Sequence, residues 1–437
     1  MDPSLLSSLT VGVTFIGALC LGLPIAVTLL LSSAVGIYML RGWNVMTNAI
    51  VGMPYSQTAD YGFIIIPLFI LIGHLAERSG ISQGAFSLAY RWVGGVRGGL
   101  GITTILASAL FSATSGSSVA TSATVGRIAL KEMRRYNYSD VISSGTIGAG
   151  GLLGLMIPPS TMMVIYGLVT QVDIIKLFIA GILPGILTTL VFSLGIYTIA
   201  ILRPELMPRA PVRFTLREKL AGLKDSWGII VLFGVLMGGI YGGYFTVTEA
   251  SAAGAATAAA LLFIRKGFAW RELFSGGRQT AKATAMIFFI LIGAGVFSRY
   301  VAMSGLANDL SHFIASLEMS RWVILVAIIS VYIPLGMFLE PISMVLITMP
   351  IVFPVIVNLG FDPIWFGILI VKVSELANIS PPIGVNIFVL RTVDKSLSLS
   401  TIYKGMGLFV LLEIVTLILL IAFPQISLFL VDWMWAR

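Results

Sequence analysis

Long apolar runs follow one another along almost the whole of this 437-residue chain. A run of 18 or more mostly apolar residues is long enough to cross the hydrocarbon core of a membrane, which is about 30 Å thick. Only 11% of the residues are charged, against roughly 25% in soluble domains. A soluble fold is therefore excluded, and we predict an all-α polytopic membrane protein.

Several other kinds of site are disfavoured by the residues that would have to form them. The single cysteine, Cys20, excludes an internal disulfide and a cysteine-cluster metal site. His74 and His312 have no companion ligands at metal spacing, so we interpret both as ordinary residues. The first basic residue is Arg41, so we expect no cleavable signal peptide. The chain has no P-loop motif for ATP.

Two related halves are indicated by matches that lie in the same order at nearly one spacing. The pentapeptide at 69–73 recurs unchanged at 289–293, 220 residues later. Four further matches have spacings of 220 to 225: Val27-Thr28 with Val247-Thr248, Ser79-Gly80 with Ser304-Gly305, Asp140 with Asp362, and Pro158-Pro159 with Pro381-Pro382. We predict a first repeat over 1–202, a polar linker over 203–225 and a second repeat over 226–437.

Each half has the same predicted order of elements: three spans, a re-entrant hairpin, a broken helix and a last span. Five crossings per half is an odd number, so the second half would be inserted upside down, as in the inverted-topology repeats of secondary transporters. In the first half the spans are near 5–22, 24–40, 62–77 and 176–202, the hairpin about 99–130 and the broken helix about 140–170. In the second half the spans are near 226–243, 246–264, 283–301 and 405–430, the hairpin about 321–358 and the broken helix about 363–391.

The distribution of Lys and Arg gives the predicted orientation. With the N-terminus outside, the inside loops hold 21 of the 27 basic residues. Cytoplasmic loops of membrane proteins carry such an excess. The net charge of +8 is therefore a topology signal and does not indicate a nucleic-acid partner. We predict both termini in the periplasm and the linker 203–225 in the cytoplasm of a bacterium, with the chain in the inner membrane.

Four interruptions of the apolar helices, two per half, are the places where chemistry is expected. Irregular backbone at membrane depth is tolerated only against protein or a water-filled cavity. Each Pro-Pro pair unwinds a helix and frees carbonyl oxygens, which suit an alkali cation, while the helix N-terminus beyond the break suits an anion. The alternative is that small residues permit close packing and that proline only kinks the helices.

Three of these segments resemble signatures of the large permease subunit of TRAP (tripartite ATP-independent periplasmic) transporters. They read Phe-Ser-Ala-x-Ser-Gly-Ser-Ser at 111–118, Gly-x-x-Gly-x-Met-Ile-Pro-Pro-Ser at 151–160 and Ser-Pro-Pro-Ile-Gly-Val-Asn-Ile-Phe at 380–388. The resemblance implies sodium-driven import of a small organic acid and an elevator-type movement of the hairpins and broken helices. It also implies two partners, a small four-helix membrane subunit and a periplasmic substrate-binding protein. No organic cofactor is expected.

We predict one sodium site at each pair of interruptions, with the substrate between the hairpin tips. The predicted first site comprises Ser115, Gly116, Ser118, Gly151, Gly154 and Pro158. The predicted second site comprises Gly336, Glu340, Ser343, Asn378, Ser380 and Pro381. The predicted substrate contacts are Ser117, Pro159, Ser160, Pro382 and Asn386.

Charged residues at membrane depth are functional candidates. Lys372 stands where the family pattern has an apolar residue, and we interpret it as the partner of Glu375 three residues on, with a substrate contact as the alternative. Glu249 is interpreted as a helix-end or interface residue, and Glu413 as the partner of a neighbouring helix or of the small subunit. Glu340 stands where the family more often has aspartate.

Other functions stay open at this point. Protons could replace sodium, because Glu340 and Glu375 lie near the predicted second site. The chain would then be a proton-coupled anion transporter or an exchanger that works without a binding protein. A channel would need a continuous pore, and an enzyme would need a base beside the serines, so both are disfavoured. The sequence does not identify the organic acid.

Overall fold

The computed structural model describes residues 3–316 and 318–435, and within those two ranges every regular element is helical. Residues 1, 2, 317, 436 and 437 of the predicted halves lie outside the described residues. The helices of the first half are α1 Pro3–Cys20, α2 Ile25–Arg41, α3 Trp43–Thr58, α4 Ile65–Ser79, α5 Ile81–Val93, α6 Gly99–Ser115, α7 Ser118–Arg135, α8 Asp140–Met156, α9 Thr161–Thr170 and α10 Ile174–Leu202.

The linker and the second half continue the same kind of architecture. A π-helical turn, Gly234–Gly238, separates α12 from the single turn α13. The helices are α11 Leu216–Asp225, α12 Trp227–Phe233, α13 Gly239–Tyr241, α14 Val247–Lys266, α15 Trp270–Ser304, α16 Leu306–Ser316, α17 Arg321–Phe338, α18 Pro341–Asn358, α19 Pro363–Ile379, α20 Val385–Val393, α21 Leu399–Ala422 and α22 Gln425–Trp435. Short 3-10 helices occupy Tyr61–Ile64 and Pro204–Leu206.

The apolar helices are suited to a membrane by length and by surface. Eight are long and apolar enough to cross it, and a ninth is added if the bent pair Leu216–Asp225 and Trp227–Tyr241 is one span. On α10, Ile186, Leu190 and Leu194 follow one another at four-residue spacing with 51%, 55% and 63% of their surface exposed. Such an apolar stripe is stable against lipid tails. The prediction of an all-helical membrane protein is confirmed.

Helix–turn–helix pairs lie where the sequence analysis placed the two hairpins. The first turns at Gly116 and Ser117, between α6 and α7, and the second at Leu339 and Glu340, between α17 and α18. Gly116 has a left-handed φ of 57°, which glycine adopts without steric cost. Ser117 and Glu340 then cap the following helices through their side-chain oxygens. The re-entrant position of these hairpins in the membrane stays a prediction.

The two broken helices form the centre of the fold. In α8 every residue from Ile142 to Met156 is buried, and in α19 every residue from Trp365 to Ile379. Both pack against α21, and glycines permit the close approach at α8. A Cβ atom added to Gly145 would lie 2.2 Å from the carbonyl oxygen of Gly405 in α21. The small residues of α8 therefore bring these helices together.

Each half packs its broken helix against the hairpin of the other half. The segment after the first break, α9, contacts α18 of the second hairpin, and the segment after the second break, α20, contacts α7 of the first hairpin. Around this centre, α2 packs on α15 and α4 packs on α14, again across the halves. Neither half therefore forms its own separate core. The inverted orientation of the halves stays a prediction.

Four helices lie in segments for which no helix was predicted from the sequence: α3, α5, α11 and α16. Helix α3 contains Pro54, and polar residues interrupt its apolar ones, so it lacks the continuous apolar run of a span. Helix α11 occupies the second part of the linker 203–225. It begins with a capping box in which Thr215 and Glu218 satisfy each other's backbone N–H groups.

Candidate functional site

The tip of the first hairpin touches the first helix break. The hydroxyl of Thr161 donates a 2.8 Å hydrogen bond to the carbonyl oxygen of Gly116. A Cβ atom added to Gly116 would lie 2.7 Å from the carbonyl oxygen of Pro159. Pro158, Pro159 and Ser160 are all buried. This contact brings carbonyl and hydroxyl oxygens of two separate segments together, which is the chemistry that a monovalent cation requires.

The second arm of the same hairpin packs on the glycines of α8. A Cβ atom on Gly154 would lie 2.6 Å from the carbonyl oxygen of Ser117, and one on Gly151 would lie 3.0 Å from that of Ser118. The predicted residues of the first site are therefore neighbours in space. The sequence analysis missed Ser122, whose hydroxyl faces Gly151 and has no hydrogen-bond partner among the described residues. Its spacing of one helical turn from Ser118 was the available signal.

The second hairpin meets α19 in the corresponding way. A Cβ atom on Gly336 would lie 2.6 Å from the Cβ of Ala377. Glu340 accepts a 3.4 Å hydrogen bond from the backbone N–H of Ser343. Asn378 is 1% exposed, and neither polar atom of its side chain has a hydrogen-bond partner within the described ranges. A buried amide whose oxygen and nitrogen atoms have no hydrogen-bond partner can bind a ligand.

The second helix break differs from the first in its exposure. Pro381 and Pro382 are exposed, although Pro158 and Pro159 are buried. The Tyr403 hydroxyl donates a hydrogen bond to the carbonyl oxygen of Pro382. Ser380 lies just before the break, where its hydroxyl donates to Leu376 within α19. The second break is therefore more open than the first, and the sequence motif gave no sign of this difference.

Two of the predicted substrate residues lie at helix starts. Ser160 is fully buried and caps α9, because its hydroxyl oxygen accepts a 3.5 Å hydrogen bond from the N–H of Met163. The amide nitrogen of Asn386, near the start of α20, donates a 3.3 Å hydrogen bond to the carbonyl oxygen of Gly148. Both side chains are therefore already hydrogen-bonded to backbone groups of the protein.

A cavity of about 70 Å³ joins the two hairpin tips. Four predicted residues line it: Ser117 and Ser118 from the first tip, Glu340 from the second, and Asn378 from α19. The other six lining residues were not predicted from the sequence. These are Val119, Leu155, Thr161, Pro341, Ile342 and Val385.

Two larger cavities lie on the sides that the topology prediction assigns to opposite faces of the membrane. One, of about 840 Å³, has a mostly polar lining in which the basic residues Arg78, Arg127, Arg265 and Lys266 outnumber the single acidic residue, Glu77. The other, of about 530 Å³, is lined by uncharged polar and apolar residues together with Asp60. The basic cavity favours an anionic solute.

The membrane-depth charges that sequence reasoning left open have definite partners. Lys372 lies 2.9 Å from Glu375, so the predicted ion pair forms. Lys372 also lies 2.5 Å from Glu413 of α21, so Glu413 pairs with a neighbouring helix, the first of its two predicted partners. Glu249 is a helix-end residue, because it closes a capping box with Thr246 at the start of α14.

Residues 12–426 match the family model described as "Tripartite ATP-independent periplasmic transporter, DctM component". The chain belongs to this family. It is 36% identical to the C4-dicarboxylate TRAP transporter large permease protein DctM of Pseudomonas aeruginosa, over 87% of this chain and 88% of the relative. It is 31% identical to the sialic acid TRAP transporter permease protein SiaT of Haemophilus influenzae, over 94% and 66% of the two chains.

A solved structure supports the fold at lower sequence similarity. The YdaH transporter of Alcanivorax borkumensis superimposes with a TM-score of 0.66 at 17% identity, covering 97% of this chain and 98% of that one. This TRAP large permease is therefore a multi-pass membrane component of a transporter, and not an enzyme. The resemblance inferred from the three motifs is confirmed.

Proposed function

We propose that this TRAP permease imports a small organic acid, such as a dicarboxylate or a sialic acid, by sodium-coupled secondary active transport. The observation that supports this most is the cavity between the two hairpin tips, which takes residues from both halves of the chain. A solute held there contacts both hairpins at once. Movement of the hairpins with α8 and α19 as one body, in the manner of an elevator, would then carry it across the membrane.

The substrate class follows from the relatives and from the charged residues of the cavity on the proposed cytoplasmic side. One relative is described as a C4-dicarboxylate transporter and another as a sialic acid transporter, and both solutes carry carboxylates. The basic cavity of about 840 Å³ lies on the proposed cytoplasmic side, where it attracts an anion leaving the tips. The hydroxyl of Ser117 and the start of α9 supply donors for a carboxylate.

The proposed sodium ions bind at the two hairpin–break contacts. At the first, the surrounding groups are neutral carbonyl and hydroxyl oxygens, including Pro159, Gly116 and Ser118. Neutral oxygens bind a monovalent cation weakly enough for release in every cycle. At the second, the Glu340 carboxylate and the Asn378 amide oxygen add stronger ligands.

Two partners and one orientation complete the proposal. A periplasmic binding protein delivers the substrate, and a small four-helix membrane subunit supports the mobile part of this chain. Both termini lie in the periplasm and the linker 203–225 lies in the cytoplasm of a bacterial inner membrane. Robust uptake by this chain alone, in liposomes without any partner, would contradict the dependence on partners.

Proton coupling is the second candidate, because a carboxyl group, Glu340, lines the tip cavity itself. A proton on this group would neutralise it before an anion enters. In that case the chain would be a proton-coupled anion transporter or exchanger, and sodium would not be needed.

Uptake measured against sodium separates the two candidates. The chain is reconstituted with its genome-adjacent membrane subunit and binding protein, and initial uptake of labelled C4-dicarboxylate or sialic acid is measured at constant pH and ionic strength, with choline replacing sodium. We expect saturable uptake that rises with sodium. A response that is flat in sodium but steep in pH would reject the sodium sites in favour of Glu340.

A further inference from the structure

A charged cluster lies in the interior of the fold, and its residues are not among those that line the tip cavity. Lys372 of α19 is 0% exposed, and so are Glu375 of the same helix and Glu413 of α21. The Lys372 ammonium nitrogen lies 2.9 Å from the Glu375 carboxylate, 2.5 Å from the Glu413 carboxylate and 2.9 Å from the hydroxyl oxygen of Thr188 in α10. Three helices therefore surround one positive charge with oxygen atoms.

The geometry is that of a cation site. Oxygen ligands come from two carboxylates and a hydroxyl, and the ring of Phe192 lies on another side, with its centroid 5.9 Å from the ammonium nitrogen. We call Thr188, Glu375 and Glu413 the oxygen cage. One further oxygen of each glutamate, Oε1, has no hydrogen-bond partner among the described residues. The cage thus has more oxygen ligands than the lysine uses.

The charges of the cage do not balance. Two carboxylates face one ammonium group, and the other charged residues of the three helices, Lys176 and Lys404, lie twelve and nine residues from the cage positions on their own helices. Removing the lysine would leave two adjacent carboxylates without a cation inside the protein. Such a pair either shares a proton or binds a small cation that can reach it.

Stability does not by itself explain why the cluster is there. Apolar side chains of similar volume often replace a buried ion group without loss of stability, and the rest of α19 is largely apolar and wholly buried. The cluster is instead connected to the transport site. Lys372, Glu375 and Asn378 are spaced three residues apart, so they form one stripe on α19, about 9 Å long, and Asn378 lines the tip cavity.

We propose that Lys372 is a tethered cation: its ammonium group permanently occupies a cation site formed by Thr188, Glu375 and Glu413, and so takes the place of one exchangeable coupling ion. Lys372 then sets how many free cations accompany each substrate. The proposal rests on the proposed cation coupling for its effect on transport. The occupancy of the cage by a cation can be tested without transport.

The decisive test removes the ammonium group and offers free cations in its place. Thermal unfolding of purified Lys372→Ala is measured in sodium, methylammonium or choline chloride at one ionic strength. We expect a lower melting temperature in choline and a saturable rise with methylammonium that the wild type does not show. Lys282→Ala, at an exposed position, is the matched control and should not respond. Adding Glu413→Gln to Lys372→Ala should abolish most of the methylammonium response.

A second variant keeps the proposal testable if Lys372→Ala does not fold. Lys372→Met keeps roughly the volume of the lysine stem and leaves both carboxylates of the cage in place, but removes the ammonium group. We expect the Hill coefficient of uptake for sodium to rise by about one, because a free ion now fills the cage. An unchanged sodium curve in this variant, or no methylammonium effect on folded Lys372→Ala, would overturn the proposal. Wild-type uptake that ignores sodium would instead refute sodium coupling alone.

Discussion

Gly116 shows how much a single residue can constrain the first hairpin tip. Its φ of 57° lies in the left-handed region, where a side chain costs about 1–2 kcal/mol. Its Cα also faces the carbonyl oxygen of Pro159 so closely that a Cβ atom would lie at 2.7 Å. Two separate constraints therefore require glycine here, one from the turn and one from the helix break.

Gly116→Ala is expected to slow uptake by roughly tenfold or more while the protein still inserts and folds, because the added methyl group pushes the tip away from Pro159. The matched control is Gly305→Ala. Gly305 has a φ of 75° but no atom within 4 Å of an added Cβ. Alanine at this position therefore has only the backbone cost of a left-handed φ and no clash. Initial uptake and the size-exclusion profile are compared for both variants. Equal losses of uptake in the two variants would mean that the left-handed turn at glycine limits uptake and that the contact with Pro159 does not.

At the scale of elements, one arginine ties loops of the two halves together. Arg134, at the end of α7, forms ion pairs with Asp140 at the start of α8 and with Asp394 after α20. Asp394 also accepts a 2.7 Å hydrogen bond from the backbone N–H of Ser396. That bond, then the Ser396 side chain and Arg134, holds the pKa of Asp394 below its ordinary value of 3.8.

Asp394→Asn should lower the melting temperature at pH 7, and the loss should disappear in acid. A carboxyl group with a lowered pKa in the folded state stabilises the fold above its unfolded pKa, and this contribution is lost as the pH falls through the folded pKa. Because Asp394 is close to water, the effect should stay below about 1 kcal/mol. Melting temperatures of wild type and variant are measured from pH 7 to pH 3.

The control for this experiment is Asp432→Asn. Asp432 is exposed and forms no ion pair within the described residues, so its substitution should leave the melting temperature unchanged at every pH. A constant difference between Asp394→Asn and wild type down to pH 3 would show that packing, rather than charge, holds the loops together.

At the scale of the whole molecule, the two halves form one unit. Segments beyond each break pack on the other half's hairpin, so neither hairpin can move far without the opposite broken helix. Lipid contact is left to outer helices such as α10, whose apolar stripe is exposed. This division between an interlocked centre and an apolar rim is compatible with the proposed movement of the centre as one body.

The predicted orientation is tested by cysteine labelling in a Cys20→Ser background. Thr215→Cys, in the linker, should react with a membrane-impermeant maleimide only after the cells are lysed. Arg41→Cys and tags at either terminus should react in intact cells, because 21 of the 27 basic residues then lie inside. Both side chains are exposed, so access depends on the membrane alone. Termini on the same side of the membrane as the linker would rule out five crossings per half.

The sequence alone determined where the helices turn and break. Glycine and hydroxyl residues at 115–118 end one helix and cap the next, and Pro-Pro pairs interrupt α8–α9 and α19–α20, because the conformation of a few neighbouring residues decides these features. The three motifs also identified the family. The shorter helices α3, α5, α11 and α16 were not predicted, since their sequences lack the long apolar run of a span.

Only the tertiary structure decided which of these segments meet. The tip cavity brings Ser117 close to Glu340. The oxygen cage brings Thr188 and Glu413 close to Lys372. The residues in each of these sites are far apart in the chain. The Pro-Pro pairs look alike in sequence, yet one is buried and the other exposed. Contacts of this kind depend on how whole helices pack, and packing is a property of many side chains at once that no single motif encodes.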